Sequence, residues 1–128
     1  MIEFDVLRKT ILDNTNIEVV TKKRQREIVD QKKIFCKIAY EHIKSNFSMI
    51  ARYLETDHAS VMSNYKKSKD HIKFDKYFRE SYEKTKQDFL AKEKLIDAKK
   101  IKREIKKTKK YLKLLKKELK KFENKNNN

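Results

Sequence analysis

Neither glycine nor proline occurs among the 128 residues of this chain, and that double absence narrows its folds more than any motif does. Glycine takes positive φ without steric cost and lets a backbone approach a ligand closely. A chain without it has no glycine-built phosphate cradle, dinucleotide-binding turn or nucleophile elbow. Type I′ hairpins are disfavoured for the same reason, although Asn can substitute, so an all-α fold is expected. No catalytic residue is assigned, and the chain is read as a non-enzyme.

Hydrophobic residues make up 38% of the chain and charged residues 42%, which allows one small core and not two. The formal charge of +16 is unevenly spread. From Lys84 onward there are 18 lysines and arginines against 6 acidic residues, a net +12, which leaves +4 for residues 1–83. The expected organisation is therefore a helical domain over 1–83 followed by a lysine-rich tail over 84–128. An AT-rich genome also enriches lysine, asparagine and isoleucine, so the charge by itself assigns no partner.

Cys36 is the single cysteine, which rules out an internal disulfide or a thiolate zinc cluster; it falls on an apolar helical face and reads as a buried, inert thiol. His42, His58 and His71 lack the i, i+4 spacing of a helical zinc site, so no metal or other cofactor is expected. Nor is a small-molecule substrate. The first residues lack a basic region followed by an apolar run, and no stretch has eighteen consecutive apolar residues. A cytoplasmic protein without a membrane partner is the expectation.

Taken in order, Ile2, Val6, Leu7, Ile11 and Leu12 share one helical face, and Asp13–Asn16 reads as a helix stop. The cluster Thr21-Lys22-Lys23-Arg24-Gln25-Arg26 puts four positive charges into five residues, as a solvated loop does. Glu27–Ser45 is expected to be the scaffold helix, with a stripe of Ile28, Ile34, Phe35, Ile38, Ala39 and Ile43. Residues 48–67 read as two short helices: Ser48 caps the first, before Ile50, Ala51 and Leu54, and Asp57 caps the second, before Val61, Met62 and Tyr65. A break is expected at Ser68–Asp70. Phe74, Tyr77, Phe78 and Tyr82 then recur at helical spacing and are expected to pack on the core.

Two short helices joined by a tight turn form a helix-turn-helix. In that unit the first helix crosses the DNA backbone, and the first turn of the second enters the major groove. His58, Ala59 and Ser60 would then face base edges.

In the tail, Ala98, Ile101, Ile105, Thr108, Leu112, Leu115, Leu119 and Phe122 step by three and four alternately, as a heptad seam does, with lysine on most other positions. A helix from Lys84 to Glu123 would be about 60 Å long. Asn124–Asn128 are expected to fray. With Ala98 at a and Ile101 at d, Glu104 at g could pair with Lys109 at e of a parallel partner, so 98–122 is a candidate surface for a homodimer or a protein partner.

With these features in this order, residues 2–82 resemble the C-terminal DNA-binding domain of the bacterial chromosomal replication initiator DnaA. The match runs through the leading helix, the basic loop, Ile28-Val29, and Lys32-Lys33 where the family has an arginine and a glutamine. It ends on Asp57-His58-Ala59-Ser60-Val61, close to the family's Asp-His-Thr-Thr-Val. The resemblance implies that Arg24 enters the minor groove of an A·T-rich box and that Asp57 and His58 read bases in the major groove. It also implies that Lys32 and Lys33 contact DNA from the start of the long helix. Ala59 replaces a threonine, Ser48 replaces a proline, and the family's glycine-rich turn appears as Glu55-Thr56. The ATPase domain and the lysine-rich tail have no counterparts between the two, so nucleotide-driven assembly is not implied.

The function expected from residues and resemblance together is sequence-selective binding of double-stranded DNA of the replication-initiator type, nucleoid-associated in a bacterial host. Lys22, Lys23, Arg26, Lys32, Lys66 and Lys67 would engage phosphates. The role could lie in replication or in transcription. The alternative is a helical coiled-coil adaptor that binds a protein partner and owes its charge to composition.

Overall fold

The computed structural model describes residues 1–126, which form five helices and no strand: α1 Ile2–Thr15, α2 Arg26–His42, α3 Phe47–Tyr53, α4 His58–Phe74 and α5 Lys76–Asn126. The chain divides into two compact units, Met1–Lys92 and Glu93–Asn128.

The first unit is built on α2, which packs against α1, α3 and α4. Ile34, Phe35, Cys36, Ile38 and Ala39 of α2 are fully buried. Phe4, Leu7 and Ile11, spaced by three and four, bring one face of α1 to the same core. Phe35 stacks on Tyr53 at 5.7 Å with the rings nearly parallel, and Phe4 tilts against Tyr53 at 5.2 Å. Such ring pairs are worth about 0.5–1.5 kcal/mol beyond their buried area.

The division falls nine residues later than the charge shift at Lys84, and side chains explain why. Thr85 and Phe89 are buried among the core residues. Asp88 accepts a hydrogen bond from the Asn14 amide at 3.0 Å, and Lys92 donates to the Thr10 hydroxyl at 3.1 Å while standing 3.7 Å from Asp13. Lysine enrichment begins on a helix whose other face is still inside the core.

Local chemistry sets the helix ends. α1 stops at Asn16, whose φ of 60° is left-handed and whose amide closes on the Leu12 carbonyl at 2.8 Å; Asn tolerates that conformation better than most residues. α2 ends at His42 and not at Ser45, because Ile43 turns extended while staying buried and the Ser45 hydroxyl donates to the Ala39 carbonyl at 2.9 Å. α3 begins at Phe47, and its cap is Asn46, whose side chain accepts from the Met49 amide at 2.8 Å. Ser48, expected to be that cap, lies inside the first turn.

The end of α3 is a Schellman turn. Glu55 sits at φ 58°, its amide reaches the Arg52 carbonyl at 3.3 Å, and the Thr56 amide reaches the Ala51 carbonyl at 2.9 Å. A glutamate thus occupies the position that most often belongs to glycine. Asp57 then caps α4 as expected, accepting from the Ser60 amide at 2.7 Å.

The break expected at Ser68–Asp70 is absent, because Ser68 is buried and its hydroxyl bonds the Tyr65 carbonyl one turn back at 2.6 Å, within the helix. α4 instead runs to Phe74. Asp75 is the single residue between α4 and α5, and its carboxylate accepts from the amides of Tyr77 and Phe78 at 3.0 and 3.2 Å. Of the four aromatics around this junction, Phe78 and Tyr82 enter the core, while Phe74 and Tyr77 remain exposed.

In the second unit the seam residues named above, from Ile101 to Phe122, lie on the helix surface, with the large apolar ones 46–65% exposed. The helix extends to Asn126, and Asn127 and Asn128, also expected to fray, lie outside the described residues. No helix among the described residues is long and apolar enough to cross a membrane.

Candidate nucleic-acid interface

Four cations within five residues, Lys22, Lys23 and Arg24 of the loop and Arg26 at the start of α2, repel one another, so the loop between α1 and α2 needs anchors. Val19 supplies the first, fully buried in the core. Beside it Arg8 of α1 grips Glu18 through two hydrogen bonds of 2.7 and 3.0 Å, and Glu18 also accepts from the Val20 amide at 3.0 Å. Partial burial pushes the Glu18 carboxyl up, but the bonds from Arg8 and Val20 outweigh it and hold the group below the usual carboxylate range. Downstream, Lys32 of α2 donates to the Thr21 carbonyl at 2.5 Å and the Thr21 hydroxyl accepts from the Lys23 amide at 3.3 Å. Lys22, Lys23, Arg24, Gln25 and Arg26 stand exposed on that clamped frame.

Between this loop and the start of α4 lies an open groove of about 600 Å³. It is lined by Arg24 of the loop, Val29 and Lys32 of α2, Leu54 and Thr56 of the turn after α3, and Asp57, Ala59, Ser60, Ser63, Asn64 and Lys67 at the start of α4 and along it. The Lys32 ammonium is held below its ordinary pKa, first by partial burial and then by repulsion from Arg24. Two cations that repel each other in one groove favour an anion there, and a phosphate would offset that repulsion.

The outward face of α4 carries a second concavity of about 370 Å³, lined by His58, Ala59, Met62, Ser63, Lys66 and Lys67. His58 is held from beneath, its ring set edge-on against Phe47 at 5.7 Å; Phe47 in turn stacks on Tyr40 at 4.3 Å. Asp57 bonds to the Ser60 amide and side chain, and these hold its carboxyl below the usual range. That carboxylate stays charged at neutral pH, able to accept from a base amino group while capping the helix.

Protein-family models, curated proteins and solved structures were compared with the chain, and none matches.

Of the residues singled out in the sequence, Arg24, Lys32, Asp57, Ala59, Ser60 and Lys67 meet in the groove, and His58 and Lys66 join Ala59 and Lys67 on the outward face of α4. Lys23 does not line this groove but a separate one, with Glu27 and Ile28. Lys22 and Arg26 are exposed beside the groove without lining it. Two residues lie elsewhere. Lys33 turns to Asp30, 3.8 Å away and close to His71, and Ser48 is exposed on the second position of α3.

Met62, Ser63 and Asn64 belong to these surfaces; Met62 was named in the sequence only for its helical spacing, and Ser63 and Asn64 were not singled out. The signal was available: they follow His58, Ala59 and Ser60 by four residues each, one turn along the same face. Asn64 also reaches inward to the Cys36 thiol, whose burial pushes it up to about 12. Cys36 is therefore a protonated core residue. Among the described residues no three His, Cys, Asp or Glu side chains cluster as metal ligands.

Proposed function

We propose that residues 1–92 are a sequence-selective double-stranded DNA-binding unit of the helix-turn-helix kind, without enzymatic activity. The observation that carries this reading is the shared groove. Arg24 and Lys32, from the loop and α2, face Asp57, Ala59, Ser60, Ser63, Asn64 and Lys67 of α4 across one open concavity. The cations Arg24, Lys32 and Lys67 suit phosphates, and the small polar side chains with the capping carboxylate suit base edges.

On this reading α3 crosses the backbone and the first two turns of α4 enter the major groove. His58, Ala59, Met62 and Ser63 then read bases, Lys66 and Lys67 flank them, and Arg24 reaches an adjacent minor groove. Ala59 and Met62 offer apolar contact to thymine methyls, and Ser63 offers a hydroxyl to either neighbour. The resemblance of residues 2–82 to the DNA-binding domain of the replication initiator supports the same assignment of Arg24, Asp57 and His58. Lys33, engaged with Asp30, is left out of the contact set.

Binding titrations of an A·T-rich initiator-type box and a scrambled duplex, at several salt concentrations, test the proposal. The box should bind more tightly at every salt, and affinity should fall with a log–log slope of about −0.9 per phosphate contacted. Equal affinity for box and scrambled duplex would reject sequence selectivity and leave only a basic, polyanion-binding helix protein.

A further inference from the structure

Lysine dominates residues 93–126, and against that background the few acidic side chains have a pattern. With Ala98 at a and Ile101 at d, four of the five acidic residues in this stretch fall on the positions that flank the seam: Asp97, Glu104 and Glu118 at g, and Glu123 at e. The other e positions beside the seam are Lys102, Lys109 and Lys116. Positions b, c and f, which point away, are Lys or Arg at ten of eleven places between 98 and 122, Leu114 being the exception.

The seam itself is apolar apart from Thr108 at d, and it is uncovered. Ile105, Leu112 and Leu119 at a, and Ile101, Leu115 and Phe122 at d, are 46–65% exposed. Glu104 and Glu118 stand 3.9 and 3.8 Å from their own i+3 lysines, in exposed pairs that contribute little.

We propose that residues 98–122 are the interface of a parallel, in-register homodimer, a two-stranded coiled coil between two copies of this chain. In that arrangement each g residue faces the e residue five positions on in the second copy. Asp97 then meets Lys102, Glu104 meets Lys109, and the neutral Tyr111 meets Lys116, with a like pair only at Glu118 and Glu123. The antiparallel alternative sets e against e and g against g. It opposes lysine to lysine and acid to acid along most of the seam. An unrelated acidic helix would suit Lys102, Lys109 and Lys116 but would set its own acids against Asp97, Glu104 and Glu118. The cationic outer faces oppose a third or fourth strand, which would have to bury them.

The dimer does not depend on DNA binding by residues 1–92, and its test uses no nucleic acid. Sedimentation equilibrium of the full chain is measured at physiological salt and at about 1 M salt, where the Debye length falls to about 3 Å and outer-face repulsion is screened. The wild type should dimerise, more tightly at the higher salt, and Leu112→Asp should be monomeric. Lys109→Glu should weaken the dimer roughly five- to tenfold, because two exposed pairs turn from attraction to repulsion. Glu104→Lys should weaken it by a similar factor, and the double variant should recover to within roughly twofold of wild type.

Lys109→Glu is the decisive arm, because it lowers the tail's positive charge. If bulk repulsion or an antiparallel pairing governed association, that change would tighten it, and such a result overturns the proposal. A monomeric wild type at both salts, a larger assembly, or a Leu112→Asp variant that still dimerises overturns it equally.

Discussion

Phe89 decides where the folded unit ends. It lies five residues beyond the point where the sequence turns lysine-rich, yet its side chain is fully buried in the core of residues 1–92. Replacing it with alanine removes a phenyl ring that would otherwise bury roughly 150–200 Å² of apolar surface, or about 4–5 kcal/mol at 25 cal/mol per Å². Alanine returns about 0.5 kcal/mol through its higher helix propensity. The expected loss is therefore about 3.5–4.5 kcal/mol, within the range for buried Phe→Ala changes and a large share of the ~5–15 kcal/mol available to a domain of this kind. Leu95, six residues on and 57% exposed, is the control, and Leu95→Ala should change stability by less than about 0.5 kcal/mol. The assay is urea unfolding of the full-length variants. It should be followed by near-ultraviolet circular dichroism of the tyrosines, because the chain has no tryptophan and the exposed part of α5 would dominate a far-ultraviolet signal. A Phe89→Ala variant as stable as Leu95→Ala would mean that the core closes before residue 84 and that α5 adds nothing to it beyond Tyr82.

Arg24→Ala should weaken binding most on duplexes with an A·T tract beside the box, whereas Lys22→Ala should weaken all duplexes alike and reduce the salt slope by about one; titrations on matched A·T and G·C duplexes distinguish the two, and identical behaviour would make Arg24 a phosphate contact. His58→Ala should lower discrimination between box and scrambled duplex by about 1–3 kcal/mol while sparing non-specific affinity, as competition titrations would reveal. Cys36 has its pKa raised by burial, so the thiol stays protonated in the folded chain at pH values where the unfolded chain already ionises. Its contribution to stability is complete below pH 9.0, declines above it, and is gone beyond about 12. Cys36→Ala should flatten that alkaline decline in urea midpoints, and the wild-type thiol should react with a disulfide reagent only as fast as the unit opens. Glu55→Gly should stabilise the chain by about 0.5–1 kcal/mol by removing a left-handed non-glycine residue, a shift that thermal unfolding would detect.

Much of the architecture was legible in the sequence because its signals are local. The absence of glycine and proline pointed to helices, Asp57 announced the start of α4 through a carboxylate three residues from the amide it accepts, and the three-and-four stepping of apolar residues drew α1, α2 and the seam. One local reading missed its residue: Asn46 takes the cap expected of Ser48, because the helix begins at Phe47, two residues earlier than that cap would place it. What only the tertiary structure decided are matters of distant residues meeting. Lys92 reaching Thr10 and Asn14 reaching Asp88, across 82 and 74 positions, carry the first unit past the charge boundary that composition alone marked at Lys84. Adjacent Lys32 and Lys33 looked equivalent in sequence, but one helical step of 100° turns the first toward Arg24 and the α4 groove and the second toward Asp30. Periodicity fixes which residues share a face; the partner that each face meets is fixed by how separate helices bury their apolar stripes together.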